Sequence, residues 1–252
     1  MTIKDLSSLR NALAPNGRIR YSINLGNPIL AGRDASTGQL FGVSVDLARL
    51  FAERLGVEVE LVAFDAAGEA VKALREQHVD IGFFAIDPAR SEGIRFTPPY
   101  VQIEGCYMVR IDSPIHINTQ VDVPGRKVVV GAGSAYDLFL TRELKNAQIL
   151  RAATSPTVVE VLLEQSIDVA AGVKQQLEAD ARRFPGVRLL PERFMVIHQA
   201  MGIPSSRNDH AFDFLKSFVE EMKASGFIAN ALAAHRIEGA TVAPAGYPPA
   251  SP

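Results

Sequence analysis

Apolar and polar positions alternate along this chain in a way that predicts strands and helices taken in turn. Arg18 to Leu25 reads as a strand after Gly17. Val45 to Leu55 carries Val45, Ala48, Phe51 and Leu55 on one side of a helix, and Gly56 stops it. Val57 to Phe64 alternates Val, Glu, Val, Glu, Leu, a half-exposed strand. A short helix over Glu69 to Gln77 and an apolar strand over Val79 to Ala85 follow. After Pro124-Gly125 the rhythm restarts. The pattern predicts a strand at Lys127 to Val130, a helix at Ser134 to Leu144, and a helix begun by Pro156 with Ser155 as its cap. It continues with a strand at Ile167 to Ala171, a helix at Val173 to Arg183, a strand at Phe194 to Ile203 and a long helix from Asp209 to Ser225. The end from Gly239 onward is rich in Pro, Ala and Gly and is expected to be loosely attached.

Two strand-helix blocks flanking a Pro-Gly restart predict an α/β protein with mostly parallel sheets covered by helices. In such sheets ligands bind at the carboxyl ends of the strands. With 252 residues, 47% apolar and 21% charged, the chain is long enough for one large core or two small ones. A net charge of −2 gives no reason to expect nucleic acid. No apolar run reaches the ~18 residues of a membrane-spanning helix. The single cysteine, Cys106, excludes an internal disulfide. Met1 to Arg20 is polar without a charged-then-apolar leader pattern. The expected location is periplasmic if a leader has been removed and cytoplasmic otherwise.

Three stretches of the first block carry a family resemblance. They are Gly38-Gln39-Leu40-Phe41-Gly42-Val43-Ser44-Val45-Asp46-Leu47, then Val79-Asp80-Ile81, and then Asp87-Pro88-Ala89-Arg90 followed by Phe96-Thr97-Pro98-Pro99-Tyr100. Val128-Val129-Val130-Gly131-Ala132-Gly133-Ser134 and Ile167-Asp168-Val169-Ala170 add weaker matches. Together the chain resembles the family 3 extracellular solute-binding proteins, the polar amino-acid receptors of ABC transporters, as a divergent member. The resemblance implies a two-lobed type II periplasmic-binding-protein fold. Lobe 1 would be 1–104 plus 200–239, lobe 2 105–199, and 240–252 a flexible tail. Two strands would cross near Val101 to Tyr107 and Val196 to Met201, with ligand bound between the lobes and hinge closure burying it. It also implies a small carboxylate ligand, an ABC permease as protein partner, no cofactor, and a monomer.

Arg90 aligns with the family's carboxylate-binding arginine, and a planar guanidinium matches a carboxylate with two parallel hydrogen bonds. The alternative is an arginine on a loop paired with Asp87 or Glu92. Gly133 and Ser134, where a strand runs into a helix, would present backbone N–H groups to an anion, and the alternative is a simple helix cap. Asn24 and Asn27 read as a polar loop after the first strand, or as ordinary turn chemistry. Phe64 would form an apolar wall, Ala85 ends the strand before Arg90, and Tyr136 sits one turn into its helix. The family usually has Thr where Asp87 stands. It usually carries an acidic residue about five positions after the second-lobe strand aspartate, where this chain has Val173 and Lys174. That departure argues against an ordinary α-amino acid unless Asp87 or Glu104 replaces the missing group, and it makes Lys174 a candidate second anion contact or a plain solvated residue. Two other functions stay open. One is a dehydratase like cyclohexadienyl dehydratase, with Glu104 or Asp87 as the acid. The other is a metabolite-sensing module. His78, His116, His198, His210 and His235 have no metal-ligand spacing, and His198 falls on the second expected crossing.

Overall fold

A computed structural model describes residues 3–246. The chain forms two compact units. One runs to Gln102 and resumes at His198, and the other is Ile103–Ile197. The first unit takes in α1 (Ile3–Leu13), β1 (Arg18–Asn24), the small hairpin β2 (Gly32–Arg33) and β3 (Leu40–Phe41), α2 (Val43–Leu55), β4 (Glu58–Phe64), α3 (Ala67–Arg75), β5 (Ile81–Ala85), α4 (Pro88–Ser91) and β6 (Ile94–Phe96). The chain leaves it along β7 (Val101–Arg110). The second unit then adds β8 (Lys127–Gly131), α5 (Ala135–Glu143), β9 (Gln148–Ala152), α6 (Val158–Glu164), β10 (Val169–Val173) and α7 (Lys174–Arg183). The 18-residue β11 (Val187–Pro204) returns the chain to the first unit, which closes with α8 (Asp209–Ala224), α9 (Phe227–Ala234) and β12 (Thr241–Val242).

Each unit is built on the same plan. In the first, β1 lies between β4 and β5, parallel to both, and the last part of β11 runs antiparallel to β5. In the second, β8 lies between β9 and β10, parallel to both, and β7 runs antiparallel to β10. Alternation sorts the side chains of the first sheet. Phe84 and Val62 face α3, where Ala70, Val71 and Leu74 complete a buried cluster. Tyr21 and Phe83 stack on the other side, and Phe83 meets Tyr100 edge-on. Tyr100 lies 3.3 Å from the Ser44 hydroxyl of α2, and Phe51 of α2 meets Phe218 of α8 at 4.9 Å. Gly42, which opens α2, has φ 115, and a Cβ there would lie 2.5 Å from the Leu30 carbonyl oxygen, so no other residue fits this part of the glycine-rich stretch. The core of the second unit gathers Val129, Val159, Leu162, Ala170 and Leu177.

Asp80, the aspartate of the Val-Asp-Ile stretch, is a structural clamp. It is 4% exposed, accepts two hydrogen bonds from the Arg20 side chain and one from the Arg20 amide, and pairs with Arg207 at 2.8 Å. Several expected boundaries move. The polar N-terminal stretch contains the helix α1, whose Leu9 and Leu13 are fully buried. Ser155 does not cap a helix; Ser155–Thr157 is itself a 3-10 turn that follows Thr154, and α6 begins only at Val158. The expected strand at Phe194 starts at Val187, through Pro191.

The expected loose end also needs correction. Thr241–Val242 pairs with Val101–Gln102, just before the chain leaves the first unit. Ala243 is buried and its amide donates to the Tyr100 carbonyl. Lys223, whose side chain is 3% exposed, pairs with Glu220 at 2.6 Å and donates to the carbonyls of Pro99 and Pro244. Residues 240–246 are therefore strapped down by a strand pair and a buried ammonium, while 247–252 lie outside the described residues. Among the described residues no helix is long and apolar enough to cross a membrane. Replacing Lys223 by Ala leaves buried carbonyls without their donor, at a cost of about 1–3 kcal/mol. Hydrogen exchange at the Ala243 amide is expected to accelerate in that variant more than exchange at β1.

Candidate functional site

Parallel strands end together, so each unit collects its loop residues at one edge of its sheet. In the first unit that edge holds Asn24 at the end of β1, Phe64 opposite it at the end of β4, and Ala85 at the end of β5. Asp87 then caps α4, its carboxylate accepting from the Ala89 amide at 2.9 Å, with Pro88 as the first helical residue. This tight turn folds Arg90 back under the strand it follows, and its Nη1 donates to the Ala85 carbonyl at 3.1 Å. Arg90 is only 4% exposed. Burial lowers its pKa to about 10, opposed by the nearby Asp87 carboxylate and reinforced by Arg75, so the guanidinium is charged at neutral pH. Asp87, 4% exposed, thus has a definite duty as a helix cap while it also lends charge to Arg90.

The loop after β1 completes this edge. Asn24 Oδ1 accepts from the Gly26 amide, so its turn role is real. The Asn27 carbonyl accepts from the Leu30 and Ala31 amides, and its side-chain Oδ1 is buried without a hydrogen-bond partner. Phe64 is half-buried against the core cluster that includes Phe84 and Leu74. The sequence expectation thus names six residues of this unit, Asn24, Asn27, Phe64, Ala85, Asp87 and Arg90, that lie at or just beyond the carboxyl ends of adjacent strands.

In the second unit Gly133 and Ser134 engage in hydrogen bonds within the chain. The Gly133 amide, at φ 68, donates to Asp137 Oδ2 at 2.9 Å, and the Ser134 amide donates to the Gly131 carbonyl at 3.1 Å. The Ser134 hydroxyl accepts from the Asp137 amide, so Ser134 is a helix cap. Asp137 is 3% exposed and both its oxygens also accept from Arg151 Nε, at 3.1 and 3.0 Å. Gly131 is obligatory, because a Cβ there would lie 2.8 Å or less from Ser155. Tyr136 is 2% exposed. Burial raises its pKa, opposed by the neighbouring Ser155 and Ser134 side chains.

Lys174, the first residue of α7, is likewise engaged. Its ammonium lies 3.2 Å from Glu104 Oε2, and Arg193 Nη1 lies 2.7 Å from Glu104 Oε1. Arg193 and then Lys174 hold Glu104 below the usual carboxylate range. Raising its pKa is what a general acid needs at neutral pH, and the opposite occurs here. Sequence reasoning missed Arg193, Asp137 and Arg151. Only Asp137 had a local signal, the Ser-x-x-acid spacing of a helix start. Beside Lys174, Gly105 lets the side chains of Phe194 and Met195 cross β7, and Phe194 stacks between Tyr107 at 4.4 Å and Phe139 at 6.0 Å. Cys106 is buried and its thiol is pushed up to about 11, mainly by burial. His198 accepts or donates through Nδ1 to Gln102 at 3.2 Å, next to both points where the chain changes unit, and burial lowers its pKa. Among the described residues no three His, Cys, Asp or Glu side chains gather as a metal site.

The sequence model of the bacterial extracellular solute-binding proteins, family 3, matches residues 27–235. The chain belongs to this family. Membrane-bound lytic murein transglycosylase F of Idiomarina loihiensis is 27% identical over 199 residues, which is 75% of this chain and 43% of that protein. Its counterpart in Aeromonas hydrophila is 31% identical over 165 residues, 64% of this chain and 32% of that protein. The chain thus spans less than half the length of these curated relatives. Among solved structures, the L-cysteine solute receptor of Neisseria gonorrhoeae has a TM-score of 0.77 at 21% identity, covering 91% of this chain and 92% of that one. An ancestral amino acid-binding protein, described as a precursor of cyclohexadienyl dehydratase, has 0.76 at 20%, covering 92% of this chain and 100% of that one. A putative ABC-transporter binding component from Wolinella succinogenes, complexed with lysine, has 0.74 at 20%, covering 87% and 95%. At such identities the likeness is one of fold: the two-lobed type II periplasmic-binding-protein fold.

Glu104 gives a pH signature. Its pKa is depressed in the folded protein, so the stability it contributes is present above its unfolded value of about 4.3 and is lost as pH falls through the folded value. The difference in unfolding free energy between the protein and its Glu104→Gln variant is expected to be constant near neutrality and to vanish in acid. Urea titrations at a series of pH values measure it.

Proposed function

We propose that this family 3 protein binds a small carboxylate-bearing metabolite, an amino acid or related organic acid, on Arg90, without catalysing its conversion, and acts as the solute receptor of an ABC-type uptake system. The observation that carries this reading is the buried, charged guanidinium at the carboxyl edge of a parallel sheet. Five N–H donors in a planar fork suit it to a carboxylate. Asn27, with a buried side-chain oxygen lacking a donor, supports a ligand that also carries an N–H or O–H group. Phe64, paired with Asn24 at the end of β4, supplies apolar surface at the same edge. In transport the permease would be the partner, and the location periplasmic.

A second reading, a metabolite-sensing module, draws on the transglycosylase F relatives, of which the chain matches 43% or less. The dehydratase reading loses one of its two candidate acids, since Arg193 and Lys174 hold Glu104 below the usual carboxylate range, and the other, Asp87, caps α4. Calorimetry with a panel of amino acids and organic acids tests the proposal. Arg90→Lys keeps the charge but not the planar fork, and is expected to weaken carboxylate binding about 10- to 100-fold while the far-UV spectrum stays unchanged. Undiminished affinity in that variant contradicts the role given to Arg90.

A further inference from the structure

The turn that carries Arg90 is short, and a single turn of helix has few bonds of its own. α4 runs only from Pro88 to Ser91. At its front Asp87 accepts from the Ala89 amide, and the Arg90 amide and the Ser91 hydroxyl donate to the Asp87 carbonyl. The carbonyls at its rear have no following turn to bond them. Arg75, the last residue of α3, takes two carbonyls there. Its Nη2 donates to the Ala89 carbonyl at 2.6 Å and its Nε to the Glu92 carbonyl at 3.0 Å. These carbonyls flank Arg90, one residue before it and two residues after. The base of this clamp is firm, because the adjacent Leu74 is fully buried in the core cluster that includes Val71 and Phe84. Past the clamp the Gly93 carbonyl accepts from the Ser205 amide, so the segment is tied again before β6 begins.

We propose that Arg75 is a positioning residue: by holding the Ala89 and Glu92 carbonyls it fixes the Arg90 guanidinium in its binding orientation, and it acts on the ligand through Arg90. This rests on the reading that Arg90 receives the ligand's carboxylate. Two donors of one planar fork fix a direction as well as a distance. Without them the four-residue turn samples other orientations, and the apparent affinity falls with the fraction of molecules that hold Arg90 in place. Arg75 also sets a second positive charge near Arg90. Arg75 is exposed, so salt screens that contribution, whereas the hydrogen-bonded geometry persists in salt.

Arginine side-chain NMR relaxation and calorimetry on Arg75→Ala separate these effects. Alanine is the strongest helix former, so α3 is expected to stay intact. In the unliganded variant the order parameter of the Arg90 Nε–H is expected to fall, while that of Arg20, locked to Asp80, stays unchanged. L-alanine and pyruvate serve as probes. The one that binds the unmodified protein more tightly is expected to lose about fivefold in affinity, the worth of roughly one hydrogen bond. The same loss is expected in about 0.5 M sodium chloride. Unchanged affinity, or a loss that disappears in salt, overturns the inference and leaves Arg90's role intact. Binding of neither probe to the unmodified protein counts against that role instead, and the unliganded order parameter then decides: a fall upholds the clamp. In every case an Arg90 order parameter unchanged in Arg75→Ala overturns it.

Discussion

A parallel strand can pair with its predecessor only after the chain has crossed back over the sheet, and this constraint orders everything of functional interest here. β1, β4 and β5 point the same way, so the loops that follow them all open at one edge. β8, β9 and β10 do the same in the second unit. Helices covering the faces leave that edge as the place where backbone turns, helix starts and polar side chains collect. Arg90 is buried there because α4 is a single turn, set by Asp87 and Pro88, that brings the guanidinium back beneath Ala85.

Charge burial is the second theme, and the protein resolves it differently at each position. Asp80 is compensated by two arginines and serves the sheet. Asp137 is compensated by Arg151 and the Gly133 amide and serves α5. Lys223 is compensated by Glu220 and two carbonyls and holds the C-terminal strap against the start of β7. Arg90 donates to the Ala85 carbonyl beside Asp87 and stays charged while buried at the carboxyl edge of the first sheet. That position, rather than fold likeness, gives Arg90 its place in the functional reading.

Much of this was legible in the sequence. The alternation of Val57 to Phe64 and the stop at Gly56 depend on neighbours in the chain, and local pattern reveals them. The first unit's edge was legible for the same reason, each residue following a recognisable strand. What escaped notice depends on distant partners. Lys174 and Glu104 are 70 positions apart, and Arg193 and Glu104 are 89 apart, so no spacing rule joins them. The short β12 exists because Val101–Gln102 offers it an edge, whereas composition alone reads Pro, Ala and Gly as a free end. The corner at Gly133 shows a subtler limit: nothing in the glycine pattern itself reveals that the Gly133 amide donates to Asp137, the third residue of the helix that follows.

The central claim is that a ligand's carboxylate seats on the Arg90 guanidinium. Arginine side-chain NMR during titration with a binding carboxylate reports it directly. The account predicts that the Arg90 Nε–H resonance shifts and saturates in step with the binding heat, while that of Arg20, locked to Asp80, stays in place. Saturation of the binding heat with the Arg90 resonance unmoved would contradict it.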